Sequence, residues 1–204
     1  MLKITAFNCS ARKDGNTAIL LNAALAELEA AGFATELVQL AGKPLRGCTA
    51  CMGCFKNKDR KCVLPDDGFN GYLEKMCGSA GLLIGSPTYF ADVSSEAKAL
   101  IDRAGFVSIA NGGLFRRKAG AAVIAVRRGG AIHAFDTINH FFTISQMIIP
   151  GSNYWNVGVG RLPGEVEGDT EGMATMKVLG ENMAWLLSKL HAGEQAKTNA
   201  AGPL

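Results

Sequence analysis

Five short runs rich in aliphatic or β-branched residues alternate along this chain with longer amphipathic stretches, and that alternation leaves few folds open. Leu2–Phe7, Thr35–Leu40, Gly81–Gly85, Ala119–Val126 and Tyr154–Val159 read as strands. Thr17–Ala31, Phe69–Met76, Ser94–Ala104, Ala131–Met147 and Glu171–Leu190 read as helices. The first of these puts Leu20, Leu21, Leu25 and Leu28 on one face and stops at Gly32, a helix C′ position. Gly81–Gly85 carries no polar residue on either face, as a strand covered on both sides requires. Strands that alternate with helices pair in parallel through right-handed crossovers, so the expected fold is α/β, a doubly wound parallel sheet with helices on both faces.

A chain of 204 residues with 48% hydrophobic and 19% charged content can bury one sizeable core. One domain is therefore expected over residues 1–190, including a cysteine-rich loop at 47–67, and a flexible tail over 191–204, rich in Ala, Gly and polar residues. The 21 basic and 18 acidic residues are scattered, and their net charge of +3 excludes a dedicated nucleic-acid surface. No run approaches the ~18 apolar residues of a membrane helix, and the first residues read as a strand, not as a secretory signal. The expected location is the cytoplasm.

Directly after the first strand comes Asn8-Cys9-Ser10-Ala11-Arg12-Lys13-Asp14-Gly15-Asn16-Thr17, a polar loop that opens a helix. Free N–H groups and the helix dipole favour a phosphate there. Ser10 and Thr17 add hydroxyls, Arg12 adds a charge-assisted bond, and Gly15 allows close backbone approach. The spacing fits neither the P-loop nor the dinucleotide-binding glycine pattern. The plainer reading has Asn16 or Thr17 capping the helix and Arg12 solvated.

Ser10-x-Arg12-x-x-x-Asn16-Thr17, together with Gly85-Ser86-Pro87-Thr88-Tyr89-Phe90 and Lys98-x-x-Ile101-Asp102-Arg103, resembles the NADPH-dependent FMN reductase and iron–sulfur flavoprotein branch of the flavodoxin-like superfamily. The resemblance implies a five-stranded sheet of order 2-1-3-4-5. It also implies that Ser10, Arg12, Asn16 and Thr17 bind the FMN phosphate, and that Pro87, Thr88, Tyr89 and Phe90 line the ribityl chain and the isoalloxazine ring. These last residues suit that task, since aromatics supply flat apolar surface and Thr88 a polar handle. After strand four, Arg127, Arg128, Gly129 and Gly130 lie at the same sheet edge. The glycines permit a tight turn against a ring, and the arginines either meet a ligand's negative charge or are solvated.

Cys48-x-x-Cys51-x-x-Cys54 followed by seven residues and Cys62 is the sharpest local pattern, and four of the six cysteines fall in it. Three readings stand: a [4Fe–4S] cluster, whose ligands such spacing brings together; thiols without metal; or a closed zinc site. The pattern resembles that of iron–sulfur flavoproteins. Asp66 and Asp67 read as caps of the next helix, Cys9 and Cys77 as small apolar residues, His133 and His140 as packed or solvated, and Trp155 and Trp185 as core or interface.

The leading expectation is an FMN-dependent NAD(P)H oxidoreductase of FMN or quinone reductase type, passing electrons to a small-molecule acceptor. In such an enzyme the cofactor supplies the chemistry, so no catalytic acid or base is expected to stand out. One alternative is an iron–sulfur flavoprotein that carries electrons to and from a ferredoxin-like partner. Another is a cysteine-loop sensor module whose flavin binding is vestigial. A homodimer or homotetramer is expected, because the cysteine loop and the Phe135–Phe142 helix offer spare apolar surface.

Overall fold

The computed structural model describes residues 1–65 and 67–192. Its elements run β1 (Lys3–Asn8), α1 (Asn16–Ala30), β2 (Ala34–Gln39), α2 (Gly53–Asn57), α3 (Phe69–Gly78), β3 (Gly81–Pro87), α4 (Ser95–Ala110), β4 (Ala119–Val126), α5 (Ala131–Ile144), β5 (Val157–Val159), a 3₁₀ turn (Glu165–Gly168) and α6 (Thr170–Leu190). The strands form one parallel sheet in the order β2-β1-β3-β4-β5, as expected.

Every residue of β4 and all of β3 up to Ser86 are buried, because helices cover both faces of the sheet. One core layer joins Phe7, Leu82 and Ile124 to Leu100 and Phe142 beneath α3, α4 and α5. The other joins Ile4, Leu83 and Val123 to Leu21, Leu28 and Met183 beneath α1 and α6. Gly32, at φ +85°, closes α1 as expected.

Element ends differ from the sequence reading where tertiary contacts extend or cut them. Helix α4 runs six residues past Ala104, with Val107 and Ala110 buried on the core, and Ser94 caps its start by accepting the N–H of Ala97. Helix α5 ends at Ile144. Strand β5 keeps three of its six expected residues, because of Tyr154, Trp155 and Asn156 only Asn156 bonds a neighbouring strand, its carbonyl receiving the N–H of Ile124. Trp155 and Trp185 are half or more exposed and so are not core residues. The expected tail falls mostly at 193–204, and Asp66 also lies outside the described residues.

Parallel strands send their carboxyl ends to one edge, so the loops after β1, β3, β4 and β5 meet there.

Candidate flavin and cysteine sites

The loop after β1 is braced from its own strand and from β2. Asn8 accepts the N–H of Ser10 at 3.1 Å through Oδ1 and donates through Nδ2 to the Lys13 carbonyl at 3.1 Å and to Gln39 Oε1 at 2.5 Å. Gln39 in turn donates to the Ser10 carbonyl at 3.0 Å. The Ser10 hydroxyl accepts the Arg12 N–H at 3.1 Å, which leaves its own hydrogen free to donate.

Neither Asn16 nor Thr17 caps α1. The cap position is Gly15, in extended conformation, and no side chain bonds the first turn. The helix therefore begins with N–H groups that no capping oxygen meets. The Asn16 carboxamide turns the other way, accepting the N–H of Gly164 at 2.9 Å and of Val166 at 3.5 Å. It ties the loop to the segment after β5.

A cavity of about 190 Å³ lies at this edge, walled by Ser10, Arg12, Asn16, Thr17, Pro87, Thr88 and Tyr89, with Ala125, Val126 and Arg127 from β4 and Gly160 and Arg161 from the β5 loop. Thr88 donates its backbone N–H to the Ala125 carbonyl at 2.8 Å, while its buried hydroxyl has no partner within the protein. A buried hydroxyl without a partner is unusual and marks a wall built for a polar ligand. Open helix N–H groups, Arg12, and that hydroxyl are the donors that a phosphate-bearing cofactor such as flavin mononucleotide requires.

Of the residues expected at the flavin, the cavity thus brings together Ser10, Arg12, Asn16, Thr17, Pro87, Thr88 and Tyr89. Gly15 stands behind it as the helix cap. Phe90 does not line it: at φ +46° the residue turns fully into solvent. Arg127 faces the cavity instead of Arg128. Gly129 lies outside it, and Gly130 adjoins its wall at φ +90°, where a Cβ would stand 3.0 Å from Ala91 Cα and 3.3 Å from the Thr88 methyl.

Gly160 and Arg161 escaped the sequence reading, although they follow a strand at the same edge, which was the available signal. A Cβ at Gly160 would fall 2.7 Å from the Val166 nitrogen and 2.8 Å from Asn16 Nδ2, so a larger residue would spread the two loops. Glu165 shapes the Arg161 turn by accepting the N–H groups of Arg161 at 2.7 Å and Leu162 at 2.9 Å. Those donors, Leu162 foremost, hold its carboxyl below the usual range.

The cysteine loop leaves β2 and winds through left-handed residues at Ala50, Met52, Lys58 and Arg60, with the short α2 between them. All six cysteines are free thiols. Cys48, Cys51, Cys54 and Cys62 line one pocket, closed from α4 by Arg103, Phe106 and Val107. Cys48 Sγ accepts the N–H of Ala50 at 3.4 Å, and the Gly53 N–H pulls the exposed Cys51 thiol down from its ordinary value. Burial pushes the Cys54 thiol up, and the neighbouring Cys62 and Cys48 sulfurs add to the effect. Asn70 clasps Cys62, accepting its N–H at 2.8 Å and donating to its carbonyl at 3.0 Å. Among the described residues no three His, Cys, Asp or Glu side chains are grouped so as to hold a metal ion. Four cysteines nevertheless share one pocket, so the thiol donor set that an iron–sulfur cluster would take lies along it without being drawn together.

The other cysteines behave as the sequence predicted for small apolar residues: Cys9 is fully buried, with burial raising its thiol, and Cys77 is partly buried. His133 is exposed, its Nε2 3.5 Å from Asp92 Oδ2, and His140 is exposed on the same helix. Asp67 is not the cap of α3, since Gly68 holds that position with no side-chain cap bond; it accepts the Phe69 N–H at 3.2 Å from one residue further out and pairs with Arg103 at 2.5 Å.

A parallel sheet wound 2-1-3-4-5, with an uncapped helix and a loop cradle at the end of its first strand, defines a flavodoxin-like α/β protein. The match to the model of NADPH-dependent FMN reductases covers residues 2–161, and the chain belongs to that family. It is an FMN-dependent oxidoreductase. An iron-sulfur flavoprotein of Methanocaldococcus jannaschii is 36% identical over 190 residues, covering 90% of this chain and 96% of its own. An iron-sulfur flavoprotein of Methanosarcina thermophila is 32% identical over 177 residues, covering 86% and 90%. Among solved structures, RosB with a bound 8-demethyl-8-formylriboflavin-5'-phosphate superposes with a TM-score of 0.73 at 19% identity, covering 100% of this chain and 89% of its own. The Trp repressor binding protein from Bacillus subtilis gives 0.64 at 17% identity, covering 86% and 96%. These two share the fold.

Proposed function

We propose that this protein takes electrons from NADH or NADPH onto FMN held at the β1 loop and passes them to a small-molecule acceptor; the second reading, favoured by the relatives' names, is an iron–sulfur flavoprotein that exchanges electrons with a ferredoxin-like partner. The observation that carries the reading is the cavity in which the Ser10–Thr17 loop, Thr88 and Arg161 converge around open N–H groups and a partnerless hydroxyl. Bound FMN supplies hydride and electron chemistry, and a [4Fe–4S] cluster on Cys48, Cys51, Cys54 and Cys62 supplies one-electron exchange.

The protein's own share is binding and orientation. The first turn of α1, the Ser10 hydroxyl and Arg12 hold the phosphate; Thr17 adds a second hydroxyl beside them. Thr88 takes a hydrogen bond of the ribityl chain, and Pro87 and Tyr89 exclude water from that side. Of the loop after β4, Arg127 would meet the flavin from the cavity wall, while Arg128, Gly129, Gly130 and the exposed Phe90 stand outside it and would bear on the ring only at its margin.

The names of the curated relatives favour a cluster over zinc or metal-free thiols at the cysteines, and the four-cysteine pocket supports it. No helix among the described residues is long and apolar enough to cross a membrane. With every thiol free, the reading is of a protein of the reducing cytoplasm. A homodimer or homotetramer is part of it. The apolar surface for contact comes from Phe106, Ile109 and Ile144, which are exposed beside a groove between α4 and α5, while Phe141 and Phe142 are buried in the core.

An anaerobic ultraviolet–visible spectrum with iron and sulfide assays tests the cofactors. Flavin bands with a broad iron–sulfur shoulder and about four irons per chain are expected; flavin without iron leaves a plain FMN reductase. Steady-state turnover with NADH and NADPH then separates the enzyme from a carrier that reacts only with a protein partner.

A further inference from the structure

We infer that Arg103 tunes the cysteine site: it positions Cys62 and lends the site a buried positive charge that favours uptake of an electron. The inference rests on reading Cys48, Cys51, Cys54 and Cys62 as cluster ligands.

Arg103 is the largest fully buried side chain in the protein, 1% exposed. Three contacts anchor it, and all belong to segments that bracket the cysteine loop. Its Nη1 donates to the Arg46 carbonyl at 3.1 Å, two residues before Cys48, and to Asp67 Oδ2 at 2.5 Å, five residues after Cys62. Its guanidinium carbon stands 4.0 Å above the Phe69 ring. A clamp on the two ends of the loop needs only that Nη1 edge.

The same side chain also borders the cysteines. Arg103 shares the pocket wall with all four thiols; burial lowers its pKa, but Asp67 and Cys62 hold it above the ordinary value. It is the only ionisable side chain on that wall besides the cysteines, among the described residues. Its Nε is buried and has no acceptor in the protein. A buried donor left open runs against the general rule that such groups are paired. An acceptor within the pocket, thiolate or inorganic sulfide, resolves it. The planar fork of arginine can hold Asp67 on one edge while presenting N–H groups to sulfur from another, which lysine cannot do.

Hydrogen bonds to sulfur and net charge near a cluster both set its potential. An N–H bond from the open Nε to sulfur and a buried cation withdraw charge from the sulfurs and favour the reduced, more negative state. Asp67 acts oppositely, since its carboxylate offsets the cation. The tuned event is gain of a single electron, supplied in the test by dithionite, with no bond made or broken.

The experiment is an anaerobic redox titration of the whole protein, followed by electron paramagnetic resonance, on wild type, Arg103→Gln, Arg103→Lys and Asp67→Asn, each with iron and sulfide content measured first. Arg103→Gln is expected to make reduction at least tenfold less favourable, a downward shift of about 59 mV for one electron. Arg103→Lys shifts in the same direction by less, and Asp67→Asn shifts upward. Opposite signs from the two halves of one ion pair are not what a purely structural clamp produces. If Arg103→Gln does not assemble a site, the Lys and Asn variants decide by the same signs. Unchanged potentials at wild-type iron content overturn the role of Arg103 while leaving the cluster standing. Wild-type protein that holds no iron after reconstitution overturns both.

Discussion

Asn16 Oδ1 accepts the backbone N–H of Gly164 at 2.9 Å, so one carboxamide fastens the first loop of the chain to a segment 148 residues later. The same oxygen lies 3.5 Å from the buried N–H of Val166. Asn16→Ala removes the acceptor and strands these donors. It is expected to cost about 1–3 kcal/mol of stability and to weaken FMN binding, because Arg161 loses its fixed place at the cavity. Urea denaturation and an FMN titration of the same sample measure the two effects; an unchanged midpoint shows the link to be idle.

Thr88→Val separates the protein's interest from the ligand's. The buried hydroxyl has no partner in the protein, so its replacement by a methyl is expected to leave the flavin-free protein as stable as before or slightly more so. FMN binding is expected to weaken by about 0.5–1.5 kcal/mol. Thermal melts with and without FMN give both signs. Loss of stability in the flavin-free protein argues that Thr88 serves packing alone.

Arg12 is exposed, and among the described residues its side chain makes a single hydrogen bond, 3.4 Å from Nη1 to the Arg161 carbonyl. Removing it should cost the fold little. Arg12→Ala is expected to weaken FMN by about 1.5–3 kcal/mol, the range for a hydrogen bond to a charged group, and to weaken riboflavin, which lacks the phosphate, hardly at all. Flavin fluorescence quenching reads both ligands. Equal losses for the two would remove Arg12 from the phosphate site.

The acid limb of stability draws on Glu36, which Lys3 at 2.5 Å and Lys75 hold from two sides. Their hydrogen bonds, that of Lys3 first, set its pKa below the ordinary value. A lowered native pKa means the unfolded chain takes up the proton first. The contribution is thus complete above the unfolded glutamate value of about 4.3 and is lost as pH falls through the native one. Glu36→Gln should lower stability near neutral pH by a few tenths of a kcal/mol to about 1 kcal/mol, since the group is partly exposed, and flatten the fall below pH ~4. Parallel acid curves for the two proteins speak against this.

Where a residue's role follows from its neighbours in the chain, the sequence was enough. Strand and helix periodicity predicted the five-stranded parallel sheet, and the position of Ser10, Arg12 and Thr17 after the first strand put them at the sheet edge where the cavity lies. Cysteine spacing put Cys48, Cys51, Cys54 and Cys62 on one pocket, because a short loop keeps near neighbours near. Pro87, Thr88 and Tyr89, which the family resemblance singled out, stand on the same cavity wall, while Phe90 does not.

Only tertiary structure could decide contacts made across long separations. Gln39 braces Ser10 from the neighbouring strand, Asn16 reaches Gly164 instead of capping its own helix, and Gly160 and Arg161 enter the cavity from the far end of the sheet. Arg103 read as part of a motif and proved to be a buried cation paired with Asp67, a residue that looked like a cap. Local periodicity reports which face of an element is apolar. It carries no record of which distant side chain will meet that face, because such pairings arise when the sheet closes and each buried polar group must find an acceptor or donor within reach.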